Sequence, residues 1–389
     1  MTKLEQLIQD LCPNGVKMVK LGDVANIQYG FPFNASLFTD EKNEKPIIRI
    51  RDIVPAQTST YYSGTVEGLD NYIIHRGDIL LGMDGYFNME KWDSEDAYLN
   101  QRVCKISTKN KDIVLEGFLF HYLRPQFKKI EQTTAGGSVI HLSAKIINNL
   151  QIPLPPLAVQ SEIVRLLDKF TLYMSELAAE LAARCKQYEH YRDQLLTFDD
   201  TVKRVKLGEV GKMQYGYPFN ASLFTDEKND KPIIRIRDVV PAYANTYYNG
   251  NVDDLENYII RRGDMLVGMD GYFNMAKWND DNAYLNQRVC KISTANSKVV
   301  LDGFLFHFLK PTFKIIEQNT AGGSVIHLSA KVINNILIPL PPLSEQERIV
   351  SILDRFDKLC HDIREGLPAE IELRQKQYEY YRDKLLTFG

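Results

Sequence analysis

Cysteine is scarce in this chain of 389 residues: only Cys12, Cys104, Cys185, Cys290 and Cys360, with no C-x-x-C pair among them. So odd and dispersed a set points to a reducing compartment, with thiols that mostly fill core. Long apolar runs are also missing. No stretch reaches the about 18 residues a membrane span requires. The opening "MTKLEQLIQDLCPNG" carries acids inside its apolar stretch in place of a signal-peptide core. A cytoplasmic location with no membrane partner is expected. Charge of one sign is lacking too, since 47 basic against 50 acidic residues leave a net charge of −3. A nucleic-acid partner is then compatible only if something else supplies part of the phosphate neutralisation.

Catalytic signatures are equally thin. Neither a G-x-x-x-x-G-K-[ST] loop nor a G-x-S-x-G elbow occurs, and the [DN]-P-P-[YFW] stretch of adenine methyltransferases is absent. His121/His307 and His141/His327 recur in related contexts, yet none lies near another metal ligand at helical or finger spacing. A packed or hydrogen-bonded histidine is the simpler reading. Asp84 and Asp270 recur in "GMDGYFNM", where Asp-Gly is first a turn signal, and nearby Glu90 gives way to Ala276. No catalytic residue, metal site or cofactor is assigned to the chain itself.

What the sequence does have is repetition. "YGFPFNASLFTDEKNEKPIIRIRD" begins at Tyr29 and "YGYPFNASLFTDEKNDKPIIRIRD" at Tyr215. Residues 29–155 align with 215–341 without a gap, with about three-quarters of the positions identical. Within each copy, β-rich runs such as "KPIIRIRDIV", "GDILLGM" and "QRVCKI" alternate with Asn-Gly, Ser-Gly and Asp-Gly turn signals, and "LEGFLFHYL" (Leu115 to Leu123) reads as a helix. Each copy is an α+β domain.

After each "IPLPPL" the pattern changes to that of a long helix. Ile163, Leu167, Phe170, Leu177 and Leu181 form one apolar seam, and Ile349, Leu353, Phe356, Ile363 and Leu367 form its counterpart. Each helix should run about 35–40 residues, or roughly 55–60 Å, which suits a spacer. The sequence therefore predicts an α+β protein with two similar α/β domains separated by two long antiparallel helices. These form a coiled-coil-like spacer in a circular, pseudo-twofold arrangement. The divisions are 1–156 (N-terminal segment and first domain), 157–198 (central helix), 199–342 (second domain) and 343–389 (C-terminal helix). The N-terminal "LEQLIQDL" is expected to stand in for the helix end "YRDQLLTF" that precedes the second domain.

The polar and aromatic loops are the candidates for binding. Asn34, Ser36, Arg49, Arg51, Asn88, Lys91, Ser138 and Lys145, with their mates Asn220, Ser222, Arg235, Arg237, Asn274, Lys277, Ser324 and Lys331, are of the types that read base edges or hold phosphates. Ordinary surface turns would explain the same residues, with Tyr86 and Trp92 as half-buried core. "IIRIRD" reads as a strand placing Arg49 and Arg51 on one face, either toward DNA or bridged to Asp52.

Several stretches resemble a known family. "LPPLSEQERIVSILDRF" followed by "GLPAEIELRQKQYEYYRDKLLTF", the central "LPPLAVQSEIVRLLDKF" with "KQYEHYRDQLLTF", and "GGSVIHLSAKIINNLQIPLPPL" are similar to regions of type I restriction–modification specificity subunits. The resemblance covers essentially the whole chain. It implies two target-recognition domains on a bipartite double-stranded DNA site and helices that serve as a ruler. It also implies docking of two methyltransferase subunits, which bind S-adenosylmethionine and methylate adenine, with restriction subunits joining in some systems. Two near-identical domains depart from the family's usual dissimilar pair, and imply an interrupted palindrome. "ELAAELAA" (Glu176 to Ala183) resembles tetrapeptide repeats that set spacer length in some relatives. The alternative from another class is a duplicated scaffold for a protein or glycan ligand, dimerising through its helices.

Overall fold

The repeat in the sequence becomes a repeat of sheets. The computed structural model describes residues 3–42, 45–65, 67–134, 141–229, 231–320, 327–361 and 366–388. They fall into two units, Met1–Leu177 with Ile371–Gly389, and Ala178–Glu370. In the first, Ala25–Tyr29, Val103–Thr108, Ile79–Gly82 and Met89–Lys91 form an antiparallel four-stranded sheet in that order. A second sheet orders Phe38–Thr39, Tyr61–Tyr62, Lys45–Ile48, Ala97–Leu99 and Ile73–Ile74, with one parallel pair where Ile47 faces Tyr98. Lys17–Lys20 pairs with Gln151–Leu154 in a separate ribbon. The second unit repeats all three sheets, from Arg204–Lys206 to Leu337–Pro339.

The helices follow the chain as α1 (Lys3–Leu11), α2 (Leu21–Val24), α3 (Glu116–Thr134), α4 (Ala144–Asn149), α5 (Leu157–Leu195), α6 (Leu207–Val210), α7 (Asp302–Thr320), α8 (Ala330–Asn334), α9 (Leu343–His361) and α10 (Leu367–Leu386). The 39 residues of α5 match the length expected of the central helix. The C-terminal seam falls into two described helices, α9 (Leu343–His361) and α10 (Leu367–Leu386), with non-helical Gly366 before the second. Gly366 lies just before this start and Pro368 just after it, where a missing N–H is tolerated.

Burial explains why the apolar seam is where it is. Ile163 and Leu167 of α5 are fully buried with Phe118, Leu119, Leu123 and Phe127 of α3, so this part of the seam closes the domain core. Gly117 allows the close approach: a Cβ there would meet Val164 Cγ1 at 2.8 Å. Ile349 and Leu353 of α9 repeat this against Phe304, Leu305 and Phe313 of α7. Farther along, helix meets helix. Phe170 stacks on Tyr381 at 5.7 Å between centroids and Arg374 covers Tyr173, so α5 and α10 run antiparallel within the first unit. Tyr191 lies 5.7 Å from Phe356 in the second. Leu177 and Leu367 are buried and Leu181 packs against the second core, whereas Ile363 lies outside the described residues.

One buried glutamine in each unit joins helix to domain. Gln160 accepts the Leu115 N–H at 2.9 Å and donates to the carbonyls of Ile113 (3.0 Å) and Pro155 (2.8 Å). Gln346 does the same with Leu301, Val299 and Pro341. A second join uses the recurrent histidines. His121 is buried on α3, donates from Nε2 to Asp168 Oδ1 at 2.7 Å, and has Tyr378 Oη 3.5 Å from Nδ1. His307 meets Asp354 at 2.9 Å and Tyr188 at 3.4 Å.

That pairing corrects the expected role of the N-terminal helix. Tyr378, Arg382, Leu385 and Phe388 occupy in the first unit the places that Tyr188, Arg192, Leu195 and Phe198 take in the second. The end of α10, and not α1, is the counterpart. Instead α1 joins the same core through buried Leu4 and is tied to α5 by an ion pair from Lys3 to Glu162 at 3.3 Å.

Candidate nucleic-acid interface

The predicted binding residues separate into three groups. The first group is displayed on the surface. Asn34 caps the short turn Ala35–Leu37, and its Oδ1 accepts from Ser36 N (3.1 Å) and Oγ (2.9 Å); both residues are exposed. Asn220 and Ser222 repeat this geometry. Lys145 on α4 and Lys331 on α8 are likewise exposed. Asn88 and Asn274 are half-buried, and their carbonyls close the tight loop by accepting from Gly82 and Gly268.

The second group faces inward. Lys91 lies over the Phe120 ring at 5.0 Å. Lys277 lies over Phe306 at 4.8 Å and bonds Asp354 at 3.1 Å. Both hold sheet to helix. Glu90 belongs to the same layer, since burial pushes its carboxyl up while Arg124 pairs with it. Its replacement by Ala276 is thus a packing change.

The third group is the arginine pair, and here the predicted strand is wrong. Extended pairing stops at Ile48, because Asp52 folds back to accept the Arg49 N–H at 2.8 Å and starts a 3₁₀ turn at Ile50–Asp52. Arg49 and Arg51 therefore share no strand face. Arg49 turns inward to Thr60, while the Arg51 side chain is 67% exposed with Nε 3.6 Å from Asp52. In the second unit the hydrogen bond to the threonine comes instead from Arg237, to Thr246 at 3.2 Å, and Arg235 covers Phe224. Burial pushes the Asp52 and Asp238 carboxyls up despite these arginines. Ser138 and Ser324 lie outside the described residues.

Beside these sits a cluster whose recurrent aspartate and histidine the sequence showed separately, without joining them or pointing to the arginine. Asp84, mostly shielded, accepts from His141 Nδ1 at 2.6 Å and has Arg102 Nε at 3.4 Å. Asp270 takes His327 at 2.5 Å and is bonded by Arg288 through Nη1, where Arg102 faces Asp84 through Nε. Next along the chain Tyr86 and Tyr272 are each 70% exposed, not half-buried core, whereas Trp92 and Trp278 are fully buried. The chemistry of this surface is that of exposed amide, hydroxyl, imidazole, guanidinium and aromatic groups on short clamped loops. No helix among the described residues is long and apolar enough to cross a membrane.

Two near-identical mixed α/β units, each displaying such loops and each bound to long helices by buried polar joins, define a duplicated recognition protein. The chain belongs to the type I restriction–modification specificity subunits: the family described as "Type I restriction modification DNA specificity domain" matches residues 13–186 and again 199–373. A chain of Haemophilus influenzae described as a type I restriction enzyme specificity subunit is 31% identical, over 100% of this chain and 99% of that one. The EcoR124I/EcoR124II specificity subunit of Escherichia coli is 37% identical over 78% of this chain and 79% of its own. The fold is shared with the S subunit of a type I system from M. genitalium, with a TM-score of 0.57 at 15% identity over 96% of both chains.

Proposed function

We propose that this chain chooses the DNA sequence for a type I complex. It reads a bipartite double-stranded target as an interrupted palindrome and docks two adenine methyltransferase subunits, in a complex that either includes restriction subunits or is modification-only. It is non-catalytic by itself. S-adenosylmethionine, methyl transfer and any cleavage belong to the partners. Extrusion of the target adenine from the stack would occur in the methyltransferase pocket. Phosphate neutralisation is shared across the complex, which accommodates the net charge of −3.

The observation that carries the palindromic reading is the near-identity of the two displayed surfaces. Of the differences between copies, Glu90/Ala276 lies in the helix-facing layer, and Thr58 bonds Asp52 where Ala244 joins a buried core. His75 pairs with Asp96 where the second copy has Arg261, and exposed Gln57 gives way to exposed Tyr243, the place on the displayed surface where the symmetry could fail. The loops Asn34–Ser36, Asp84–Asn88 and their mates are unchanged. Paired readers of this kind match sites whose halves are related by inversion. Methylome sequencing of the source strain with and without the gene tests it. The expected result is one motif lost, its halves reverse complements of each other. Two half-sites unrelated by inversion would refute the palindromic reading.

A further inference from the structure

We propose that Arg102 and Arg288 are base-reading residues, each aimed by an aspartate (Asp84 or Asp270) toward a guanine in its half-site, with Tyr86 and Tyr272 beside them against the neighbouring base or sugar. The inference rests on the DNA-reading function above and names residues for it.

Four observations converge. The loop between Ile79–Gly82 and Met89–Lys91 is clamped at both ends: Gly82 N–H bonds the Asn88 carbonyl at 2.9 Å, and Phe87 N–H bonds Glu131 Oε2 at 2.6 Å. Phe87 is fully buried, so its neighbour Tyr86 points into solvent from a fixed base, with Gly85 at φ +70° making the turn. The Asp84 carboxylate is about one-fifth exposed and holds two donors, whereas those donors, Arg102 (63%) and His141 (59%), are mostly exposed. The second unit brings the same residues together: Asp270, Arg288 (here through Nη1), His327, Tyr272 and Gly271, with Glu317 holding Phe273 N–H at 2.7 Å.

This arrangement is more than an ion pair. One carboxylate holds one nitrogen of the guanidinium, Nε of Arg102 or Nη1 of Arg288, and leaves the remaining N–H groups free to face outward. A forked, pre-aimed donor matches the O6/N7 edge of guanine. An exposed ring presented rigidly beside it can stack on a base or pack on a sugar at small entropic cost. Asp84 and Asp270 would act as positioning residues, setting the direction of the fork without touching DNA. A solvated surface ion pair would need neither the clamped loop nor the exposed ring in both copies.

The duplication supplies an internal control. The assembled complex with its methyltransferase subunits is tested on duplexes carrying the mapped target, with single guanines replaced by 7-deazaguanine, which removes N7. For the unaltered complex, one such replacement per half-site should weaken binding about 5- to 150-fold. With Arg102→Ala that penalty should vanish in one half-site and persist in the other; Arg288→Ala should give the mirror result. Asp84→Asn should shrink the penalty in the Arg102 half-site alone. Arg102→Lys keeps the charge but not the fork, and should behave like the alanine variant even if alanine impairs folding.

If Arg102→Ala lowered affinity equally for all sequences and flattened the salt dependence, the arginine would hold a phosphate and the inference would fail. Unchanged 7-deazaguanine penalties in all variants would also overturn it. Failure of the unaltered complex to discriminate any DNA sequence would instead overturn the function on which it rests.

Discussion

Replacing Gln160 with leucine tests the polar join between helix and domain most directly. The side chain is fully buried and serves three main-chain groups: Leu115 N–H at 2.9 Å, Ile113 C=O at 3.0 Å and Pro155 C=O at 2.8 Å. Leucine has similar volume, so the cost comes from stranded polar groups and not from a cavity. Each group left without a partner in the interior costs about 1–3 kcal/mol, and part of the sum is offset by leucine's own burial. A net destabilisation of about 3–6 kcal/mol is expected for the first unit. With a urea dependence of about 2 kcal/mol per molar, its unfolding midpoint should fall by about 1.5–3 M. Urea unfolding followed by pulse proteolysis reads this, with unit-specific fragments distinguishing the two halves. Gln346→Leu should produce the same loss in the second unit, because its three bonds differ from those of Gln160 by no more than about 0.1 Å. A change below about 1 kcal/mol in either variant would mean that water or local rearrangement satisfies these groups, and the join is not a source of stability.

Two further outcomes follow. Burial depresses the His121 pKa below its ordinary 6.5, against the opposing pull of Asp168, with Lys91 and Arg124 adding to the depression and Tyr378 facing the ring. The unfolded chain then takes up this proton first, so His121 contributes stability above pH 6.5 that is lost as pH falls through its lower folded value. Imidazole titration by NMR should place it below 6.5, and a higher value would contradict the burial argument. Adding one "ELAA" unit after Ala183 extends α5 by about 6 Å and should lengthen the target's spacer by one or two base pairs with unchanged half-sites. A methylome with altered half-sites and the same spacer would count against it.

Much of the fold was legible because repetition and periodicity are properties of the sequence itself. The duplicated sheets, the long α5 and the buried Ile163, Leu167, Ile349 and Leu353 all follow from spacing. Tertiary packing decided the rest. Alternation in "IIRIRD" favours a strand, but the Asp52 carboxylate captures the Arg49 N–H and ends it. The helix read at Leu115 to Leu123 continues past Pro125 to Thr134, since an N–H lost to proline is tolerable when the helix is pinned between sheet and α5. Lys91 and Lys277 look like loop cations, yet the sheet's pleat turns them onto Phe120 and Phe306. The Asp84–Arg102–His141 cluster joins positions far apart in the chain. The repeated His141/His327 and Asp84/Asp270 were visible signals, but nothing in the sequence joined them to each other or to Arg102 and Arg288.

The dependence of the first unit on the last helix bears on how the protein is made. Residues Ala178–Glu370 are contiguous, so the second unit has every segment it needs as soon as Glu370 leaves the ribosome. The first unit does not. Its His121 and Phe170 wait for Tyr378 and Tyr381, which are translated after the whole of the second unit. The half encoded first is thus completed second, and until then holds an open apolar face during synthesis. A frameshift or premature stop near codon 370 would leave the distal half whole and disable the proximal one, so a C-terminal lesion would act as an N-terminal defect.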